Sequence, residues 1–168
     1  MIELVPKSKV FVATTSEPKR WFVPWSNQAA ILDEIKAHVA GKLVIDTTVP
    51  LLPPRVARVQ LPPEHSAALA AQQRLGSGVR VVSAFHNVAA HKLLSEEKID
   101  CDVLVFGDDA KDRAIVIALA RAIGLEAVHA GPLANSVAAE ALTSVLIGIN
   151  RNYKVDGAGI RITGIAKS

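Results

Sequence analysis

The residue in this chain best placed for chemistry is His86, which follows directly on the run Val79–Phe85. That apolar, β-branched run predicts a buried strand, so the imidazole falls at a strand's carboxyl end, where open α/β sheets place their ligands. A histidine there can contact a ligand, but taken by itself it is more simply one that satisfies a local backbone group. Other reactive residue types point to plainer roles. Asp108 and Asp109 could serve acid/base or metal chemistry, but they stand just before a predicted helix, where one carboxylate caps and its neighbour profits from the helix dipole. Cys101 is the single cysteine, so it forms no disulfide within the chain and is expected to be structural, in a reducing cytoplasm. His38, His65, His91 and His129 share no metal-ligand spacing, and surface or core roles are expected for them. The stretch Gly131-Pro132-Leu133-Ala134-Asn135-Ser136 joins a strand to a helix. Its backbone amides could face an anion, or it could be a plain loop capped by Asn135 or Ser136.

The elements that must hold these residues alternate along the chain. Ser26 or Asn27 can cap a helix carrying Ile31, Leu32, Ile35 and Val39, which Gly41 ends, and Leu43-Val44-Ile45 begins a short buried strand running to Val49. The prolines from Pro50 to Pro63 exclude regular helix or central strand. A helix is expected over Glu64–Leu75, a strand over Val79–Phe85, a helical turn over Ala89–Ser95 and a strand over Asp102–Phe106. The helix Ala110–Ile123 closes at Gly124, the strand Leu125–His129 follows, and an apolar helix Ser136–Arg151 precedes an extended tail, Gly159–Ile165. One short strand, Lys9–Ala13, precedes all of these. Strands alternating with helices predict parallel β-α-β crossovers, hence an α/β fold of three layers with a mostly parallel sheet.

Composition sets the outer bounds. A chain of 168 residues, 50% hydrophobic and 21% charged, fits one globular domain. With aromatics at 4%, aliphatic residues and alanine must fill the core. The net charge of +3 is small and scattered, so no basic stripe for nucleic acid is expected. No apolar segment reaches membrane-spanning length free of charge, and Val10–Ala13 is too short for a signal-peptide core. Val137, Leu142, Val145, Leu146 and Ile149 make the last helix apolar enough for a homodimer interface, though burial within the monomer is the simpler account.

An absence carries as much weight as these residues. A dinucleotide-binding sheet opens with strand, G-x-G-x-x-G and helix, so that the pyrophosphate meets a helix N-terminus. Gly76-Ser77-Gly78 precedes a strand instead of following one, and Gly157-Ala158-Gly159 has no helix after it.

Five segments nevertheless form a recognisable series. They are Asp46-Thr47-Thr48-Val49-Pro50-Leu51, Val82-Ser83-Ala84-Phe85-His86-Asn87-Val88, Asp102-Val103-Leu104-Val105-Phe106-Gly107-Asp108-Asp109, Ala130-Gly131-Pro132-Leu133-Ala134-Asn135-Ser136 and Gly157-Ala158-Gly159-Ile160-Arg161-Ile162-Thr163-Gly164. Together with Val23-Pro24-Trp25 they resemble the NADPH:coenzyme F420 oxidoreductases, which pass hydride between NADP and an 8-hydroxy-5-deazaflavin. The resemblance runs from about Val23 to Ile165. It implies a Rossmann-like NADP-binding fold lacking its N-terminal phosphate-binding unit, with NADP and coenzyme F420 as cofactors. It also implies that His86 hydrogen-bonds or walls the deazaflavin and that Val88 and Ala90 border the two rings. Trp25, Val49 and Pro50 would lie on the nicotinamide side, and Ala158 would line the ligand. Hydride transfer needs alignment more than a strong acid or base, so a positioning role is expected for His86.

Residues 1–22 depart from that pattern and read as an atypical lead-in to a domain over 23–168, so weak or absent NADP affinity is expected. The expectation is thus an oxidoreductase of the NADP–F420 type, with small-molecule partners and no nucleic acid or membrane. The alternatives are a non-catalytic remnant that binds a deazaflavin- or pterin-like ligand or acts as a dimerising partner, and a truncated reading frame.

Overall fold

The computed structural model describes residues 10–12, 25–89, 92 and 99–165. Among them, β1 (Val10–Val12), β2 (Leu43–Asp46), β3 (Arg80–Ser83), β4 (Asp102–Phe106) and β5 (Glu126–Gly131) form one sheet in the order β1-β2-β3-β4-β5. The pairs β1–β2, β2–β3 and β4–β5 are parallel. The sheet is therefore mostly parallel, as the alternation predicts.

One junction departs from it. β3 and β4 are antiparallel and share a single rung, Ser83↔Phe106. A parallel neighbour needs a crossover of a dozen or more residues, usually a helix, to bring the chain back to its starting edge. Here β4 runs opposite to β3, and its end, Phe106, lies beside the end of β3, Ser83.

Two cores lie on opposite faces of the sheet. Helices α1 (Trp25–Ile35) and α2 (Ala67–Leu75) pack Leu32, Ile35, Ala68, Ala71 and Leu75 with Val44 and Val81. Helix α3 (Ala110–Ala122) packs Val116, Ile117 and Ala120 with Leu43, Ile45, Val82, Val103 and Val105. Alternate residues of β2 thus serve opposite faces, which gives the three layers. Each fully buried valine or leucine contributes roughly 1.5–3 kcal/mol relative to exposure.

The local signals decide most boundaries. Asp109 caps α3, its Oδ1 accepting from the Lys111 and Asp112 amides at 2.6 and 3.4 Å. Gly124, at φ +81°, supplies the left-handed turn that closes the helix. Ser66 caps α2 by accepting from the Leu69 amide at 3.0 Å, so that helix begins at Ala67 and not at Glu64. Neither Ser26 nor Asn27 caps α1. Both lie inside it, with Ser26 Oγ donating to Asn27 Oδ1 at 3.1 Å. The last helix, α4 (Ser136–Tyr153), has no side-chain cap from Asn135, and Ser136 turns inward instead. By length and composition, Leu133–Tyr153 is apolar enough to cross a membrane. It also buries Ser136, Ala139, Glu140, Ser144 and Leu146 within the protein.

After α4 the tail crosses the start of β4 without forming a strand. The Asp102 amide donates to Ile160 O at 2.8 Å, and the Ile162 amide donates to Asp102 Oδ2 at 2.6 Å. Gly159 sits so close to Cys101 that a Cβ there would stand 2.4 Å from the cysteine's own. Only glycine permits that approach.

Candidate functional site

β2 and β3 run in register, Asp46 opposite Ser83, and the Ala84 amide donates to Asp46 O at 3.1 Å. Their carboxyl ends therefore open on the same edge. Val49 (half-buried) and Pro50 (buried) follow β2 there, and His86 and Val88 (both buried) follow β3. Trp25, half-buried, begins α1, and Gln28 one turn later donates to Asp46 Oδ2 at 2.9 Å and to Ala67 O at 3.2 Å. The fold thus brings five of the expected site residues to one edge. Ala158 joins them at a distance: its amide donates to Asn150 Oδ1 at 2.8 Å, and its tail meets β4 at Asp102. Ala90, and most of the turn expected over Ala89–Ser95, lie outside the described residues.

The loop carrying His86 is held unusually. Phe85 adopts φ +67°, a left-handed conformation that costs a side-chain-bearing residue on the order of 1–2 kcal/mol. The Val88 amide closes the turn onto Phe85 O at 3.1 Å. From α4, Thr143 Oγ1 donates to His86 O at 2.9 Å. Asn87 Nδ2 donates to Asp102 O at 2.8 Å. Such strain persists where surrounding bonds over-determine the backbone, and it clusters at functional sites.

The imidazole is 6% exposed. Its Nε2 lies 3.0 Å from Ser83 Oγ, while among the described residues Nδ1 has no partner, and neither does Asn87 Oδ1. Burial pushes the His86 pKa down to about 4, so the ring is neutral at pH 7. A neutral ring with one nitrogen engaged and one open suits contact and positioning better than delivery of a proton as imidazolium.

A second buried polar group lies nearby. Glu140 of α4, one turn before Thr143, is 1% exposed. Its Oε2 accepts from the Ala67 amide at 2.6 Å, and its Oε1 accepts from the Ala68 amide and from Ser136 Oγ, both at 3.1 Å. Ser136 Oγ also lies 3.0 Å from Ser66 Oγ. The carboxylate thereby fills the N-terminus of α2, a place where a ligand's anion could otherwise sit. Burial pushes its pKa up to about 7 against the pull of these donors, and the Asp46 carboxylate adds to the rise. Asp46 is itself buried, and desolvation raises its pKa while Thr48 and Gln28 hold it down.

Asp108 is more than a dipole-favoured neighbour. Its Oδ1 accepts from the Leu133 amide at 3.0 Å and fastens the loop between β5 and α4. With the Asn135 amide donating to Pro132 O at 3.0 Å, two amides of that loop are already engaged. Cys101 is buried, and burial, with Asp102 and Asp100 beside it, pushes its thiol pKa up, which suits a structural role. A recess of about 660 Å³ between α3 and β5, reached by Arg121, His129 and Ile165, contains none of the expected site residues.

Ser83, Asn87, Thr143 and Glu140 are contacts that residue types alone do not reveal. The one available signal is a lone glutamate in an apolar helix.

No family model matches the chain. It is 38% identical over 149 residues to the F420-dependent NADP reductase of Methanocaldococcus jannaschii, covering 85% of this chain and 66% of that protein. The F420-dependent NADP reductase of Methanothermobacter marburgensis is 36% identical over 150 residues, with the same coverage. Among solved structures, a protein from Arthrobacter sp. FB24, provisionally assigned as an F420-dependent NADP-reductase, superposes with a TM-score of 0.74. That match has 21% identity and covers 84% of this chain and 67% of the other, so it supports the fold alone. A hypothetical protein of Sinorhizobium meliloti gives a TM-score of 0.58 at 19% identity, covering 77% of this chain and 60% of its own. The chain thus belongs to the F420-dependent NADP reductase family, and it spans about two thirds of the length of the curated relatives it matches.

Proposed function

We propose that this chain forms the part of an NADP–F420 oxidoreductase at which nicotinamide and deazaflavin meet, acting on soluble cofactors in the cytoplasm. The observation that carries the reading is the His86 loop: a buried, neutral imidazole at the carboxyl end of β3 with an unpartnered Nδ1, beside an unpartnered Asn87 Oδ1. Buried polar atoms of this kind call for an explanation, and a bound ligand that completes them is one. The residues present fit a deazaflavin on that side. His86 and Val88 would contact it, Ala90 and Ala158 would border it, and Trp25, Val49 and Pro50 would face the nicotinamide. When bound, the deazaflavin supplies the carbon that accepts or gives up hydride. The protein's part is to exclude water, align the rings and hold His86 as a hydrogen-bonding wall.

A second reading rests on a specific observation: no G-x-G-x-x-G joins a strand to a helix within these 168 residues. Without that cradle the dinucleotide loses its main phosphate contacts, and the chain binds a deazaflavin- or pterin-like ligand without turnover. The self-associating role expected of the apolar α4 belongs to the same reading.

Titration of the 168-residue protein with F420 and with NADPH, followed by F420 reduction assayed with NADPH, separates the two. Saturable F420 binding with weak or absent NADPH binding is expected. Tight, saturable NADPH binding would overturn the second reading, and failure to bind F420 would overturn the first.

A further inference from the structure

We propose that Ser83 is a positioning residue for His86: its hydroxyl donates to Nε2, holds the ring proton on Nδ1, and so makes Nδ1–H the donor offered to a ligand carbonyl. The ligand half of this inference rests on the deazaflavin reading above, since an 8-hydroxy-5-deazaflavin carries ring carbonyls.

Two arrangements satisfy the 3.0 Å contact between Ser83 Oγ and His86 Nε2. If Nε2 carried the proton and donated to Oγ, the fully buried serine hydroxyl would have no acceptor among the described residues. Nδ1 would then be a bare, unmatched acceptor as well. If the hydroxyl donates to Nε2, its proton is matched and the orphan on the histidine is one N–H. The second arrangement leaves one buried group unmatched where the first leaves two, so it is favoured. Because burial keeps the ring neutral, the tautomer decides what the ring offers.

The surroundings fit a ring set deliberately. Ser83 is the last residue of β3 and is paired on both sides, to Asp46 and to Phe106. Its backbone is held most firmly from the β2 side, where four pairs run in register up to Asp46↔Ser83. Thr143 holds the histidine's carbonyl from the other side. The strand fixes the ring, and α4 fixes the main chain.

The test uses protein labelled with [15N]histidine, examined by long-range proton–nitrogen correlation at neutral pH, with the His86 signals identified by their loss in His86→Gln. The expected wild-type pattern is a pyrrole-like Nδ1 and a pyridine-like Nε2. Ser83→Ala should shift both signals toward a tautomer mixture, while Ser83→Thr, which keeps the hydroxyl, should restore the pattern. A wild-type proton on Nε2, or an unchanged pattern in Ser83→Ala, overturns the proposal; if Ser83→Ala does not fold, the wild-type and Ser83→Thr spectra decide it. In the same proteins Ser83→Ala should weaken F420 binding about five- to tenfold, the usual scale of one hydrogen bond, and leave NADPH affinity unchanged. Altered tautomers with unchanged F420 affinity would overturn the ligand half. The expected spectrum in a protein that binds no F420 would uphold the role of Ser83 and overturn the deazaflavin reading instead.

Discussion

Two buried polar regions sit one turn apart on α4 and are built on opposite terms. Around Glu140 both carboxylate oxygens are engaged by two amides and a hydroxyl, and Ser66 passes the network on to Leu69. Around His86 and Asn87 three side-chain contacts hold the loop, yet among the described residues two polar atoms stay unmatched. A saturated cluster locks secondary structure together. An unsaturated one costs stability, about 1–3 kcal/mol per orphan, and such a cost is tolerated where a binding partner can remove it. The first region is architecture, and the second is where the proposed ligand would sit.

The sharpest way to break that contrast is to empty the first region. Glu140→Ala strands the Ala67 and Ala68 amides and leaves a cavity, so it should lose roughly 3–5 kcal/mol in urea unfolding. A loss below about 1 kcal/mol would remove the distinction. The double variant Ser83→Ala/His86→Phe removes both members of the other bond and keeps an aromatic ring in place. Its stability should stay within about 1 kcal/mol of wild type, because deleting both partners deletes the orphan too. F420 binding should be lost.

The pH dependence offers a subtler probe, because the regions pull in opposite directions. The folded-state pKa of His86 lies near 4, below its ordinary 6.5, so its contribution to stability is complete above 6.5 and is lost as pH falls toward 4. Glu140 is raised from 4.5 to about 7, so its contribution is complete below 4.5 and is lost as pH climbs to 7, with Asp46 acting in the same sense. The two should offset each other between about pH 4.5 and 6.5. Stability of wild type minus that of His86→Phe, measured by denaturant unfolding across this window, should rise with pH. A flat difference would mean that the buried imidazole is not held neutral by the fold.

The sequence resolves these regions unequally. Val79–Phe85 and Asp102–Phe106 announce strands because buried parallel strands are continuous apolar runs, and Gly124 marks a helix end because positive φ favours glycine, whereas the first helix gives way at Ile35 to a short 3-10 turn, Lys36–His38, well before Gly41. Asp109 is legible as a cap because its partners lie within three residues. Glu140 is not legible, because its amide partners lie 72 and 73 residues away. The antiparallel turn of β4 is hidden for a related reason: local pattern predicts a strand but not its direction, which depends on where the preceding connection delivers the chain. His86 falls between these cases. Its place at a strand end can be read directly, while the serine and threonine that hold it depend on three-dimensional neighbours.

The single rung between β3 and β4 has a mechanical consequence. Among the described residues, a sheet whose other neighbours share three to five pairs has Ser83↔Phe106 as the one pair between β3 and β4. The sheet is in effect two panels with a one-stitch seam, and the stitch is the residue that grips His86. Amides near the seam should exchange with solvent through small openings of one panel against the other, at lower cost than those inside either panel. A ligand that clasps His86 would fasten the seam, so occupancy would register as slowed exchange along β3 and β4, well beyond the atoms it touches.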